Sequence, residues 1–160
     1  NQQVGVLRWR AVSKEDSTLP LSITVWVSPS GDGACEANIE YQLENPSLTL
    51  TDVVISVPVP AGSTPDISGP EEGDCEFDVA NSRITWRIPS VSANNASASM
   101  DMSVSSGADT ADVFFPVSVD FSAAQPLLNI GIDSIVDASS GAPRPFSNEA
   151  VLVADNYLVH

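Results

Sequence analysis

Basic side chains are scarce in this chain. Six Lys and Arg stand against 21 Asp and Glu among 160 residues, a formal charge of 6 − 21 = −15. Phosphate backbones are held by clustered cations, so nucleic acid is not an expected partner. Adhesion to anionic lipid by bulk charge is disfavoured for the same reason. No apolar run approaches the length of a membrane span, and direct membrane insertion is not expected. The opening Asn1-Gln2-Gln3-Val4-Gly5 has neither the basic nor the apolar region of a signal peptide. Histidine occurs once, at the terminal His160. Without another base no hydrolytic triad can be assembled, and no Gly-x-Ser-x-Gly elbow is present. Cysteine occurs twice, at Cys35 and Cys75, with no CxxC unit. That usage favours free thiols in a reducing compartment, each acting as a small buried hydrophobe. Neither has a histidine partner that would generate a thiolate. Gly31-Asp32-Gly33 lacks the Lys and the following helix of a phosphate loop. No catalytic residue, cofactor or metal site is therefore expected.

Helical periodicity is nearly absent. Only Ser90 to Ser97, rich in Ala, Ser and Asn, could hold one turn of helix. The dominant signal is alternation with period two. In Glu36-Ala37-Asn38-Ile39-Glu40-Tyr41-Gln42-Leu43 the apolar residues share one face and the polar residues the other. Ile84, Trp86 and Ile88 alternate with Arg83, Thr85 and Arg87. Met100, Met102 and Val104 alternate with Asp101 and Ser103. Val113, Phe115, Val117, Val119 and Phe121 form another apolar row. Further strands are expected at Val4 to Arg10, Leu21 to Val27, Val53 to Val59, Leu128 to Val136 and Ala150 to Val159. Turns are marked by Ser30-Gly31-Asp32-Gly33, by Pro58, Pro60 and Pro65, and by Ser139-Ser140-Gly141-Ala142-Pro143. About nine strands so spaced imply an all-β fold, an antiparallel β-sandwich of two packed sheets.

Eleven of the 21 carboxylates fall between Asp32 and Asp78. Asp66 to Asp78 reads as a long acidic loop leading into a short strand at Phe77. Its Glu71, Glu72, Asp74, Glu76 and Asp78 do not match a calcium-loop pattern, and a solvated loop is favoured. Asn95-Ala96-Ser97 is a glycosylation sequon of a kind that arises often by chance. Trp9 and Trp86 sit in apolar rows and read as core. Trp26 shares its face with Ser22 and Thr24, so it marks either a contact surface or packing under another segment. Arg8 and Arg10 lie two apart on one strand face, and Arg83 and Arg87 share another. They are candidates for a local positive strip, with cross-strand pairing to carboxylates as the competing expectation.

Taken in order, several runs resemble the mu-homology domains of coatomer delta subunits. They are Val4-Gly5-Val6-Leu7-Arg8-Trp9-Arg10, Leu19-Pro20-Leu21-Ser22-Ile23, Asn38-Ile39-Glu40-Tyr41, Leu50-Thr51-Asp52-Val53-Val54-Ile55 and Pro58-Val59-Pro60. Ile84-Thr85-Trp86-Arg87-Ile88-Pro89, Asp112-Val113-Phe114-Phe115-Pro116-Val117, Phe146-Ser147, Val151-Leu152-Val153 and Tyr157 continue the likeness. The medium subunits of clathrin adaptors are similar more distantly. The resemblance implies an incomplete mu-homology fold: an inserted β-sandwich subdomain over residues 1–121, then returning strands of an outer subdomain over 122–160. The outer subdomain's opening strands would lie upstream of Asn1. It implies a non-enzymatic module of the COPI coat, cytoplasmic and peripheral on Golgi membranes and vesicles, in retrograde Golgi-to-ER transport. Its implied partners are other coatomer subunits and disordered tryptophan-motif peptides of tethers and GTPase-activating proteins. Such a peptide would bind through two aromatic anchors, with an affinity on the order of micromolar after the cost of ordering it. Tyrosine-signal binding is not implied, because Ser147 to Val153 lacks the Trp and Arg of the adaptor tyrosine pocket. The peptide-binding candidates are Arg8, Arg10, Trp26, Arg83 and Arg87. The competing expectation is an extracellular Ig-like adhesion or carbohydrate-binding module stabilised by calcium, with a Cys35–Cys75 bond and a glycan on Asn95.

Overall fold

The computed structural model describes residues 18–128, 130–154 and 157–160. The expected strand at Val4 to Arg10, and with it Arg8, Trp9 and Arg10, lies outside the described residues.

Ten strands are present among the described residues. They are β1 Leu21–Pro29, β2 Cys35–Leu43, β3 Leu50–Pro58, β4 Asp66–Ser68 and β5 Asp74–Asp78, followed by β6 Arg83–Val91, β7 Ser97–Val104, β8 Val117–Ala123, β9 Leu152–Val153 and β10 Tyr157–Val159. Every pairing is antiparallel. Sheet A runs β1-β2-β7-β4, and sheet B runs β10-β8-β3-β6-β5 with β9 also on β8. The alternation read in the sequence decides which side of each strand faces the other sheet. On β2 the row Cys35, Ala37, Ile39, Tyr41 and Leu43 is buried, and on β6 so are Ile84, Trp86 and Ile88. These rows, with Val53, Ile55 and Val57 of β3 and Met100 and Met102 of β7, make one continuous core. Tyr41 and Trp86 meet across the sandwich with ring centroids 5.5 Å apart, tilted by 48°. The Trp86 indole is fully buried, and its Nε1–H donates to the Glu72 carbonyl at 2.7 Å, so no polar group is stranded there.

Turn chemistry follows the sequence closely. Gly31 and Gly33 take φ of 82° and 85° in the hairpin between β1 and β2, a region costly for residues with a Cβ. The Ser90–Ser97 segment holds one 3-10 turn, Ala93–Asn95.

Four expectations need correction. The acidic stretch Asp66 to Asp78 is not one long loop. It contains β4, which edges sheet A beside β7; the short strand expected at Phe77 is present as β5, which edges sheet B beside β6. Ile67, Cys75 and Phe77 supply the partly buried apolar side chains that hold both strands to the core. The apolar row of Val113 and Phe115 is also displaced. Ala111–Phe114 forms a 3-10 turn, and the fully buried ring is that of Phe114. A three-residue period replaces the two-residue one there and brings a different side chain inward. Leu128 to Val136 forms no strand among its described residues. Only Val136 makes an isolated bridge, to Pro143, and Leu128, Ile130 and Ile135 remain exposed because no strand runs alongside them. Finally, Ala150 to Val159 is two short strands, both laid on β8. Among the described residues, no helix is long and apolar enough to cross a membrane.

Candidate peptide-binding site

The outward-facing candidates fall on two opposite surfaces. Trp26 projects from the outer face of sheet A and is 64% exposed. Its inward neighbours on β1, Val25 and Val27, pack on the core. Arg83 and Arg87 project from β6, in the other sheet, alternating with the buried Ile84, Trp86 and Ile88. The structure therefore keeps Arg83 and Arg87 on one outward face of β6 but does not bring Trp26 to them.

The two arginines differ in how free they are. Arg83 Nη2 donates to the Ser56 carbonyl at 3.2 Å and to Ser118 Oγ at 3.3 Å, so its guanidinium spans β3 to β8 along the sheet surface. Arg87 is exposed. Register sets carboxylates beside both. Arg83 lies opposite Asp78 and Arg87 opposite Asp74. On the other side Arg87 lies opposite Val54, which in turn faces Asp120. Cations interleaved with carboxylates make a balanced surface rather than a strongly positive one. None of these neighbours closes to a salt bridge; among the described residues that contact is made by Arg144 and Asp137, at 2.8 Å. Arg144 and the Ser139 and Ser140 amides hold the Asp137 carboxyl down at about 2.

The outer face of sheet A has another character. Register places Trp26 opposite Asn38, Asn38 opposite Asp101, and Asp101 opposite Ser68. Asn38 Nδ2 donates to Asp101 Oδ1 at 2.8 Å. A shallow groove of about 380 Å³ runs over these strands, bordered by Trp26, Glu36, Asp66 and Asp101. The alternation in the sequence sets Glu36 and Asp101 on the polar sides of their strands, but it leaves Asp66 in a loop and the side of Trp26 open. It does not show that these residues share one face, because sheet order is a tertiary property.

The acidic segment is dispersed rather than convergent. Glu71 Oε2 accepts from the Ser99 amide at 2.9 Å, tying the β4–β5 crossover to β7. Asp78 accepts from the Ala80 and Asn81 amides and from Asn81 Nδ2, which lowers its pKa and holds the turn into β6. Among the described residues, no three His, Cys, Asp or Glu side chains are grouped to hold a metal ion.

Both cysteines are free thiols. Cys35 is buried in the core, and its pKa is raised mainly by that burial. Cys75 lies 3.1 Å from the Met100 sulfur, and burial, with a smaller contribution from Asp74, pushes its pKa up to about 11. Thiols held protonated in this way are poor nucleophiles. The sequon residue Asn95 is committed within the fold. Its Nδ2 donates to the Ser90 carbonyl at 2.8 Å, and its Oδ1 accepts from the Ser92 amide at 2.9 Å, closing a capping box.

Comparison with known proteins agrees with this architecture. A family model, the adaptor complexes medium subunit family, matches residues 1–153. The chain is 32% identical over 157 residues to a probable coatomer subunit delta of Caenorhabditis elegans, covering 98% of this chain and 30% of that protein. It is 35% identical to coatomer subunit delta-1 of Oryza sativa subsp. japonica, over 98% of this chain and 29% of that one. The chain thus spans about three-tenths of the length of the curated relatives it matches. Among solved structures, the yeast delta-COP-I mu-homology domain superposes with a TM-score of 0.68 at 26% identity, covering 94% of this chain and 60% of that one. The same yeast domain complexed with a Dsl1 WxWxV peptide gives a TM-score of 0.71 at 24% identity, with the same coverage.

Proposed function

The chain belongs to the adaptor complexes medium subunit family, and from that premise we propose that it is a non-enzymatic adaptor module of the COPI vesicle coat. In this reading it is part of a delta-coatomer subunit, works in retrograde Golgi-to-ER transport, and sits on the cytoplasmic side of Golgi membranes and vesicles. Its partners are other coatomer subunits and short tryptophan-based motifs in disordered segments of tethers and GTPase-activating proteins. The observation that carries the proposal is similarity to coatomer delta subunits along 98% of the chain. The ligand class is extended from the yeast relative that was solved with a WxWxV peptide. In this proposal residues 1–121 are an inserted subdomain and 122–160 the returning strands of an outer one.

Binding in this mode is driven by burying two indole rings, each worth a large share of the affinity, while the residues between them merely span. Arg87, the more exposed of the two arginines on the outward face of β6, is the candidate for a polar contact with the peptide on the described surface. Arg8 and Arg10, outside the described residues, remain candidates of the same kind. Trp26 stands on the opposite sheet and would serve a separate contact.

The adhesion-module alternative is less well supported. The thiols are unpaired, and the Asn95 amide that a glycan would occupy already makes two structural hydrogen bonds.

The test is calorimetric titration of this chain, and of one extended upstream, with a Trp-x-Trp peptide and its Trp-to-Ala control. Binding on the order of micromolar that the control loses supports the proposal. Binding only by the longer chain keeps the function but moves the pocket upstream. Silence from both chains would overturn the ligand assignment.

A further inference from the structure

The outer face of sheet A carries a groove that the coat reading does not use. Its cross-strand rows are Trp26–Asn38–Asp101–Ser68 and Ser28–Glu36–Ser103–Asp66. With strands about 4.8 Å apart, a row of four spans roughly 14 Å, the reach of about four extended residues. The groove holds about 380 Å³. One wall is the Trp26 indole, the most exposed aromatic ring among the described residues. Three carboxylates border it, from Glu36, Asp66 and Asp101, and among the described residues no Lys or Arg does. Asp101 accepts one hydrogen bond, from Asn38. Among the described residues, the side chains of Glu36 and Asp66 make no hydrogen bond or close ion pair, so their acceptor capacity faces the groove's solvent.

We propose that this groove docks a short basic segment of a partner protein, with an arginine laid flat on the Trp26 indole and its guanidinium turned to Asp101 and Glu36. Charge complementarity selects this occupant. An acidic segment would meet three carboxylates in the field of a chain of net charge −15. A wholly apolar segment would desolvate those carboxylates without a partner. A bare divalent cation needs several oxygens converging on one point, and no three do so here. Arginine answers both halves of the surface, because its planar group stacks on an aromatic face and its fork of donors matches carboxylates. The site is independent of the tryptophan-motif proposal: it lies on the other sheet from Arg83 and Arg87 and takes a cationic ligand rather than a pair of indole rings.

The test is titration by NMR, following the backbone amides of Asn38, Asp101 and Ser103 together with the Trp26 indole N–H, with acetylated and amidated Gly-Arg-Ser-Arg-Gly; the backbone amides alone report on Trp26→Ala. The same peptide with citrulline in place of both arginines is the neutral control. Saturable binding is expected with Kd on the order of 100 μM, weakened about tenfold or more in the citrulline peptide. Trp26→Ala and, separately, Asp101→Asn should each weaken it about fivefold or more. Both positions are on the surface, and Asn at 101 keeps an acceptor for Asn38, so a thermal melt matching that of the parent confirms that the variants are folded. Equal binding of the arginine and citrulline peptides overturns the proposal. So does an affinity unchanged in both folded variants, or the absence of any arginine-peptide shift at millimolar concentration. A Trp-x-Trp peptide that shifts the Trp26 indole while the arginine peptide does not would also overturn it, and would assign this face to the tryptophan motif instead.

Discussion

The Tyr157 hydroxyl donates to the Leu21 carbonyl at 2.8 Å, joining the last strand of sheet B to the first strand of sheet A across 136 residues of sequence. β10 is only three residues long and β9 only two. Ladder hydrogen bonds alone hold such short strands weakly, so this cross-sheet bond and the ring packing beside it anchor the C-terminal segment. Tyr157→Phe keeps the ring and removes the donor. The expected loss is about 1 kcal/mol in urea unfolding. Amide exchange in 157–159 should rise by more than exchange in β2 or β6, since local opening releases the edge before the core.

Gly73 and Gly62 separate two costs of replacing a glycine. Both have positive φ, 76° and 83°. A Cβ at Gly62 would meet open space, whereas one at Gly73 would collide with the Arg87 carbonyl oxygen of the adjoining strand. Gly62→Ala should therefore cost about 1 kcal/mol, the left-handed conformation alone. Gly73→Ala must also push β5 from β6, and should cost at least about 2 kcal/mol more. Paired denaturant melts of the two variants check the difference.

Alkaline pH should destabilise the fold. Cys75 is raised from its ordinary 9.0 to about 11, first by burial and then by Asp74. Tyr41 is raised from 10.0 to about 12, first by burial and then by Glu72 and Glu71. In each case the folded state keeps a proton that the unfolded state releases. The resulting stability is fully present below the unfolded pKa and is lost as pH rises through the folded one. Urea midpoints should hold level up to about pH 8.5 and fall between about 9 and 11 as Cys75 titrates. Cys75→Ala should flatten that part of the curve. Both thiols should react with a disulfide reagent in denaturant, and much more slowly in the native state at pH 8.

Asn95 should resist change for structural reasons. Its side chain receives the Ser92 amide and donates to the Ser90 carbonyl, bracing the turn between β6 and β7. Asn95→Ala should lower stability by about 1–2 kcal/mol, the usual value of a lost cap with a second hydrogen bond. Ser97→Ala destroys the same sequon and leaves both bonds in place. It should be nearly neutral, and chemical denaturation of the two variants separates the roles.

Alternation was readable because side-chain direction in a strand is a local property with period two. Ile39, Tyr41, Ile84, Trp86, Met100 and Val119 are all inward as the pattern requires. The same signal misplaced Phe114, where a 3-10 turn interrupts the strand and the inward residue shifts by one. Leu128 to Val136 has the apolar content of a strand, but a strand is completed only by a neighbour, and composition cannot supply one. For the candidate site, the sequence identified Trp26, Arg83 and Arg87 as outward-facing. It had no means of showing that they stand on opposite sheets.

The sequence by itself determined the fold class, the faces of the strands, the unpaired state expected of its thiols and the family. All of these rest on local periodicity, composition and motif order. The tertiary structure decided which strands lie side by side. Through the sheet orders β1-β2-β7-β4 and β10-β8-β3-β6-β5 it gathered Trp26, Glu36, Asp66 and Asp101 around one groove and set Asp74 and Asp78 beside the two arginines. Those neighbourhoods join residues far apart in the chain. Their energy depends on burial against partners that only the folded molecule brings together.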